Sequence, residues 1–353
     1  MTLRIRFRNA AAVRSAIYFL LGSFMPLAQM AAPVALADDA SPSGLSASAR
    51  RALSWLPEDT ESIVTGQSFT ISPEMLNQAL ASEGPFAEVM ATRGLGVLTD
   101  LDAKCLQPIV NRKIELALRG NRNFDWVSGS LPTHRSESCS IVVFEKDLGD
   151  AEKQMVDLLR AEAEKVRKIA GRDVFVFPAS RQMRRDRAWT WRGNLGIFIV
   201  LLKSDTLLCA TSDSYLEDVL KRLDSKAVRA AIPENLTVWK QIDARAPAWM
   251  VWSPWATVKK FGGEPLIDGI TWTVTEAELR TVYLSGKNEA EQFEQRARHI
   301  WNNILKAQPK FERSKDGAIV VSARTKDLGP IDTFSFAFWL YQLEAANVGS
   351  DDK

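Results

Sequence analysis

The sequence predicts an α+β protein of two similar-sized halves, each a mostly antiparallel sheet with helices on one face. Two observations predict this class. Short runs rich in β-branched residues, such as Ser140–Phe144, are bounded by turn residues, which is typical of strands. Longer stretches with apolar residues at helical spacing, such as Asp150–Ile169, lie between them. An ordinary 46% of hydrophobic and 25% of charged residues fits a folded globular chain.

In the first half, ordered sequence begins near Trp55. Three helices are predicted: one opened by Ser72-Pro73-Glu74, one at Asp150–Ile169 ended by Gly171, and one opened by a capping box at Ser214–Glu217. The predicted strands lie at about 62–71, 108–118, 124–128, 140–144, 174–177, 195–202 and 206–210.

The second half repeats parts of this plan. Strands are predicted at about 247–255, 269–275, 279–284 and 318–323, with helices opened by Asn288 and Asp332. The alternation of Phe334, Phe336 and Phe338 also fits a strand in place of the last helix. A strand, a long helix and a strand therefore recur at 140–177 and 279–323. Leu56-Pro57-Glu58-Asp59 also matches Ile232-Pro233-Glu234-Asn235. Internal duplication is the hypothesis, and two unrelated α+β halves are the alternative.

The N-terminus has the layout of a cleaved secretory signal peptide over residues 1–37. Four arginines without an acidic residue precede an apolar run from Ala16 to about Ala28, and small residues stand at Ala35 and Ala37. The run is shorter than the about 20 residues that span a membrane, so a transmembrane anchor is the less favoured reading. We expect a periplasmic or secreted protein whose mature chain has no transmembrane span.

The remaining organisation follows from composition. Residues 38–54 are predicted to be a flexible linker, 55–225 a first α+β domain, 226–346 a second, and 347–353 a frayed tail. The mature chain has 41 basic and 43 acidic residues, a balance that does not favour nucleic acid as a partner. The sequence has no Rossmann or phosphate-loop motif, and no cofactor is predicted.

Three cysteines, Cys105, Cys139 and Cys209, predict one disulfide and one thiol in an oxidising compartment. Cys105 and Cys139 are the favoured pair because both flank predicted strands in irregular sequence. Cys209 lies in an apolar strand, where a thiol behaves as a small hydrophobe. The other two pairings remain open.

The sharpest local feature is an Arg/Trp segment that holds five arginines and one aspartate over twelve residues. Guanidinium groups bind phosphate and carboxylate bidentately, and indole rings stack on sugars or on guanidinium groups. The segment predicts a site for an anionic envelope polymer or a lipid headgroup, against the alternative of a solvated loop. Its candidate binding residues are Arg181, Arg184, Arg185, Arg187, Trp189, Trp191 and Arg192.

Catalytic signals are weak. His134 stands near Glu137 and Cys139 without further ligands at a recognisable spacing, so no metal site is predicted. His299, with Glu294 one helical turn away, is the other imidazole, and Glu145 and Asp147 form one of several carboxylate pairs. The catalytic residues stay unknown.

Tryptophan is abundant, with eleven residues, three of them in Trp249–Trp255. Core packing is the favoured role for them, with at least one tryptophan expected in an exposed groove. The prediction for function is an exported, non-catalytic binding or interaction protein of the bacterial cell envelope, whose partner is an anionic polymer, a lipid headgroup or another envelope protein. The alternative is a secreted hydrolase that uses carboxylates and one histidine.

Overall fold

The computed structural model describes residues 44–70, 107–123, 136–178, 195–223, 236–253, 267–275, 277–285, 309–315 and 317–324, with residues 73, 105, 231, 232, 291, 294, 295 and 298. Three helices are described in these ranges: α1 (Ala47–Trp55), α2 (Asp150–Glu162) and α3 (Asp213–Leu223). Gln107–Ile109 and Thr237–Gln241 form 3₁₀ helices.

Twelve strands form one sheet in these ranges. They are β1 (Ser62–Thr70), β2 (Lys113–Asn123), β3 (Ser136–Phe144), β4 (Lys165–Ile169), β5 (Arg172–Phe177), β6 (Leu195–Lys203), β7 (Thr206–Ser212), β8 (Ala248–Trp252), β9 (Ile267–Val274), β10 (Glu278–Ser285), β11 (Lys310–Arg313) and β12 (Ile319–Arg324). Their order is β11-β12-β10-β9-β8-β1-β2-β3-β7-β6-β5-β4. Every pair of neighbours is antiparallel, which confirms the mostly antiparallel α+β class.

The strands of both predicted halves belong to this one sheet. Strand β1 pairs with β8, and Val64 stands opposite Met250 at the middle of that pair. The backbone hydrogen bonds of the sheet therefore cross the predicted boundary at residue 226. The boundary itself stays a prediction.

Two cores lie on opposite faces of the sheet, because successive side chains of a strand point to opposite sides. Face A carries Cys139, Ile141 and Val143 of β3, and face B carries Val142 and Phe144. Each buried methylene group contributes about 0.8 kcal/mol, so both cores contribute substantially to folding.

Helices cover both faces, so the prediction of helices on one face is wrong. Helices α1 and α3 bury their apolar residues against face A, whereas α2 packs Met155 and Leu159 against face B. The spacing within each helix shows which residues are apolar. The same spacing does not show which face of the sheet the helix packs against.

Two local predictions also differ from the structure. Residues 47–54 belong to the predicted linker 38–54, but they form most of α1. The Ser46 side chain caps this helix by accepting a hydrogen bond from the amide of Ala49 at 3.1 Å. Helix α2 ends at Glu162, and residues 165–169 form β4 rather than two further helical turns. Val166 and Ile169 keep a helical spacing, but pairing with β5 decides their conformation.

Among the described helices, none has the length and apolar character needed to cross a membrane.

Candidate functional site

A buried arginine joins four parts of the fold at one end of the sheet. The Arg122 side chain on β2 is only 3% exposed. Its Nε donates to Glu137 Oε2 at 2.6 Å, across the β2–β3 pair. Its Nη1 donates to Asp218 Oδ2 at 2.7 Å and, more weakly, to Asp59 Oδ2 at 3.3 Å. We call Arg122, Glu137, Asp59, Asp218 and Ser214 the Arg122 network.

Helix α3 is held to this network through Ser214. Its Oγ lies 3.1 Å from Arg122 Nη2 and donates to Glu137 Oε1 at 3.0 Å. The cap of α3 is Ser212, whose Oγ accepts from the amide of Tyr215 at 3.2 Å. The capping box at Ser214 was therefore misplaced by two residues, and the Ser214 side chain is used by the network instead.

Tyr215 closes the inner side of the network. The Arg122 guanidinium lies 4.5 Å from the centre of the Tyr215 ring, within the range of a cation–π contact. The Tyr215 hydroxyl is 2.7 Å from Thr60 Oγ1, and both residues are fully buried. The loop before β1, strand β2 and helix α3 thus meet at one aromatic ring.

The surrounding carboxylates stabilise the charged form of this buried arginine. Burial opposes the charge, but Asp59, Glu137 and Asp218 outweigh it, and the pKa of Arg122 lies above its ordinary value. Burial also raises the pKa of the Tyr215 phenol, despite the hydrogen bond to Thr60. An unfolded chain ionises this tyrosine near pH 10 and the folded chain does not, so its contribution to stability is present below pH 10 and is lost as the pH rises.

The geometry of the network is that of a clamp. Its guanidinium donors are directed at protein acceptors, and its members come from positions 59, 122, 137, 214 and 218. Arg122 and Glu137 form the second residue pair from the connection 124–135, next to the Asn123–Ser136 pair, so their ion pair holds together the two strand ends that this connection joins. The sequence contains one weak signal for this network. A basic residue, Arg122, lies near the end of one strand, and an acidic residue, Glu137, lies near the start of the next.

The residues of the Arg/Trp segment, 181–192, lie outside the described residues, as do His134 and His299. The segment belongs to the connection between β5 and β6, and the structure describes the strand residues at both ends of this connection. Phe177 at the end of β5 pairs with Ile197 of β6, so residues 178–194 link two directly paired strands. Hairpin connections are usually two to five residues long, and longer ones commonly carry function.

Two carboxylates that the sequence suggests as candidate acid–base groups, Glu294 and Glu145, form ion pairs with basic side chains. Glu294 Oε1 accepts from Arg298 Nη2 at 2.7 Å, and Oε2 accepts from Arg313 Nε at 2.7 Å. These hydrogen bonds hold the pKa of Glu294 below its ordinary value. Glu145 forms an exposed ion pair with Lys113 at 2.5 Å.

The predicted Cys105–Cys139 disulfide is not formed in the structure. All three cysteines are fully buried thiols. Cys139 belongs to the face A core, whereas Cys105 and Cys209 belong to the face B core. The sheet separates the predicted pair. Burial raises the pKa of Cys139 to about 12 and that of Cys209 well above its ordinary value, so neither thiol ionises readily.

We expect all three thiols to resist modification in the folded protein. Thiolate is the reactive form, and burial disfavours it and blocks access. Incubation with iodoacetamide at pH 8, followed by mass spectrometry, should leave the native chain unlabelled and add three carbamidomethyl groups after denaturation in guanidinium. Fewer than three groups in the denatured, unreduced chain would indicate a disulfide that this structure does not contain.

The described tryptophans are mainly core residues. Trp239, Trp249, Trp252 and Trp272 are buried, and Trp239 packs edge-on to Trp249 at 6.1 Å. Trp55 is half-buried, with the Arg51 guanidinium 5.7 Å from its ring centre. The expectation of a tryptophan in an exposed groove stays a prediction, since the other six lie outside the described residues.

In the described part of the chain, no group of three or more His, Cys, Asp or Glu side chains is placed to hold a metal ion. Comparison with protein families, curated proteins and solved structures finds no match to this chain.

Proposed function

We propose that the protein is exported and binds an anionic ligand of the bacterial cell envelope without catalysing a reaction. The observation that supports the ligand class is the position of the Arg/Trp segment. It forms most of the connection between β5 and β6, whose described ends pair directly. A two-residue turn would suffice to join such strands, so the additional residues are available for binding.

Export is proposed from the leader pattern over residues 1–37. It places the protein in the periplasm or outside the cell, where anionic glycans and lipid headgroups are the abundant polyanions.

The binding test uses residues 38–353 of the wild type and a variant with Arg184→Ala, Arg185→Ala and Arg187→Ala. We expect the wild type to sediment with anionic polymer or anionic vesicles, and the variant to require at least several-fold more ligand, because each exposed charge contact contributes a fraction of a kcal/mol, about 0.5. The matched control replaces three exposed basic residues elsewhere, Lys153, Arg160 and Lys168. Equal binding by the two variants would contradict the proposal, and so would the absence of any binding by the wild type.

The export step is tested separately. Full-length chain expressed in a bacterium should yield an exported form whose N-terminal residue is Asp38. A chain that keeps residues 1–37 and stays in the cytoplasm would contradict the assigned leader.

We also propose that the sheet arose by internal duplication. Each half begins with three consecutive strands that pair in order, β1–β2–β3 in the first and β8–β9–β10 in the second. Helical residues and further strands follow in each half. The last of these strands pairs with the third strand of its half, β7 with β3 and β12 with β10. The antiparallel β1–β8 pair joins the halves, as a two-fold axis near Val64 and Met250 would require. Leu56 and Ile232, from the two matching tetrapeptides, are both fully buried on face A.

Among the described residues, four strands follow α2 in the first half and two strands follow β10 in the second. An experimental structure in which β1–β2–β3–β7 does not superpose on β8–β9–β10–β12 would exclude duplication.

A further inference from the structure

We draw no further inference here: the strongest candidate, the row of polar side chains that Ser62, Asn121, Ser138 and Thr211 form across face B of the sheet, carries nothing, because these residues hydrogen-bond to one another in two pairs and nothing in the described part of the chain shows what covers them.

Discussion

Replacing Arg122 by Met should destabilise the protein by about 3–5 kcal/mol, the range for breaking a buried ion pair by removing one partner. Met fills a similar volume but leaves Glu137, which is 1% exposed, without its counter-ion. It also removes the donors to Asp218 and Ser214. Urea unfolding followed by tryptophan fluorescence measures the change in the free energy of unfolding.

Two further variants separate the lost charge from the lost packing. Arg122→Met combined with Glu137→Gln should recover part of the stability, because the buried carboxylate is then neutral. The matched control is Lys168→Ala, which breaks the exposed Lys168–Asp173 pair and should have little effect. If Arg122→Met changes stability no more than Lys168→Ala does, the network does not act as a clamp.

The strands could be predicted because their signal is local. Alternating and β-branched runs such as those of β3, β6 and β7 are visible in the sequence, and the structure places strands there. The edge strand β4 was missed because it has three basic residues in five and no alternation. Charges on an edge strand prevent pairing with other chains, so the feature that hid this strand is itself typical of edges.

The Arg122 network could not be predicted because its members are distant in sequence. From the sequence alone, each of Asp59, Arg122 and Asp218 would be interpreted as a solvated charge near the end of a helix or strand. Their proximity depends on β1 lying beside β2 and on α3 returning across face A, and neither fact has a local signal. The disulfide prediction failed for a related reason: spacing suggested a pair, but the sheet lies between the two thiols.

The Arg/Trp segment shows the opposite case. The composition of this segment can be seen in the sequence, but the parts of the chain that lie near it in space cannot. The strand register shows that the connections 124–135 and 253–266 begin at the same end of the sheet as the connection that contains this segment, a relation that the order of residues along the chain does not show.

Gly120→Ala should destabilise the protein by about 1–3 kcal/mol, the cost of adding a methyl group to a full core. A Cβ at this position would lie 2.8 Å from Leu56 Cδ1, Leu56 Cδ2 and Tyr215 Oη. Leu56 and Tyr215 are fully buried, so neither can move away into solvent. Tyr215 is further held by Thr60 and by the Arg122 guanidinium.

A double-mutant cycle with Tyr215→Phe identifies the cause. Tyr215→Phe alone should be destabilising, since it leaves the buried Thr60 hydroxyl without its partner. In the Gly120→Ala background it also removes one of the three close contacts, so the combined loss should be smaller than the sum of the two single losses. Strict additivity would show that the added methyl does not press on Tyr215. The close approach of β2 to α3 would then not be what requires glycine at position 120.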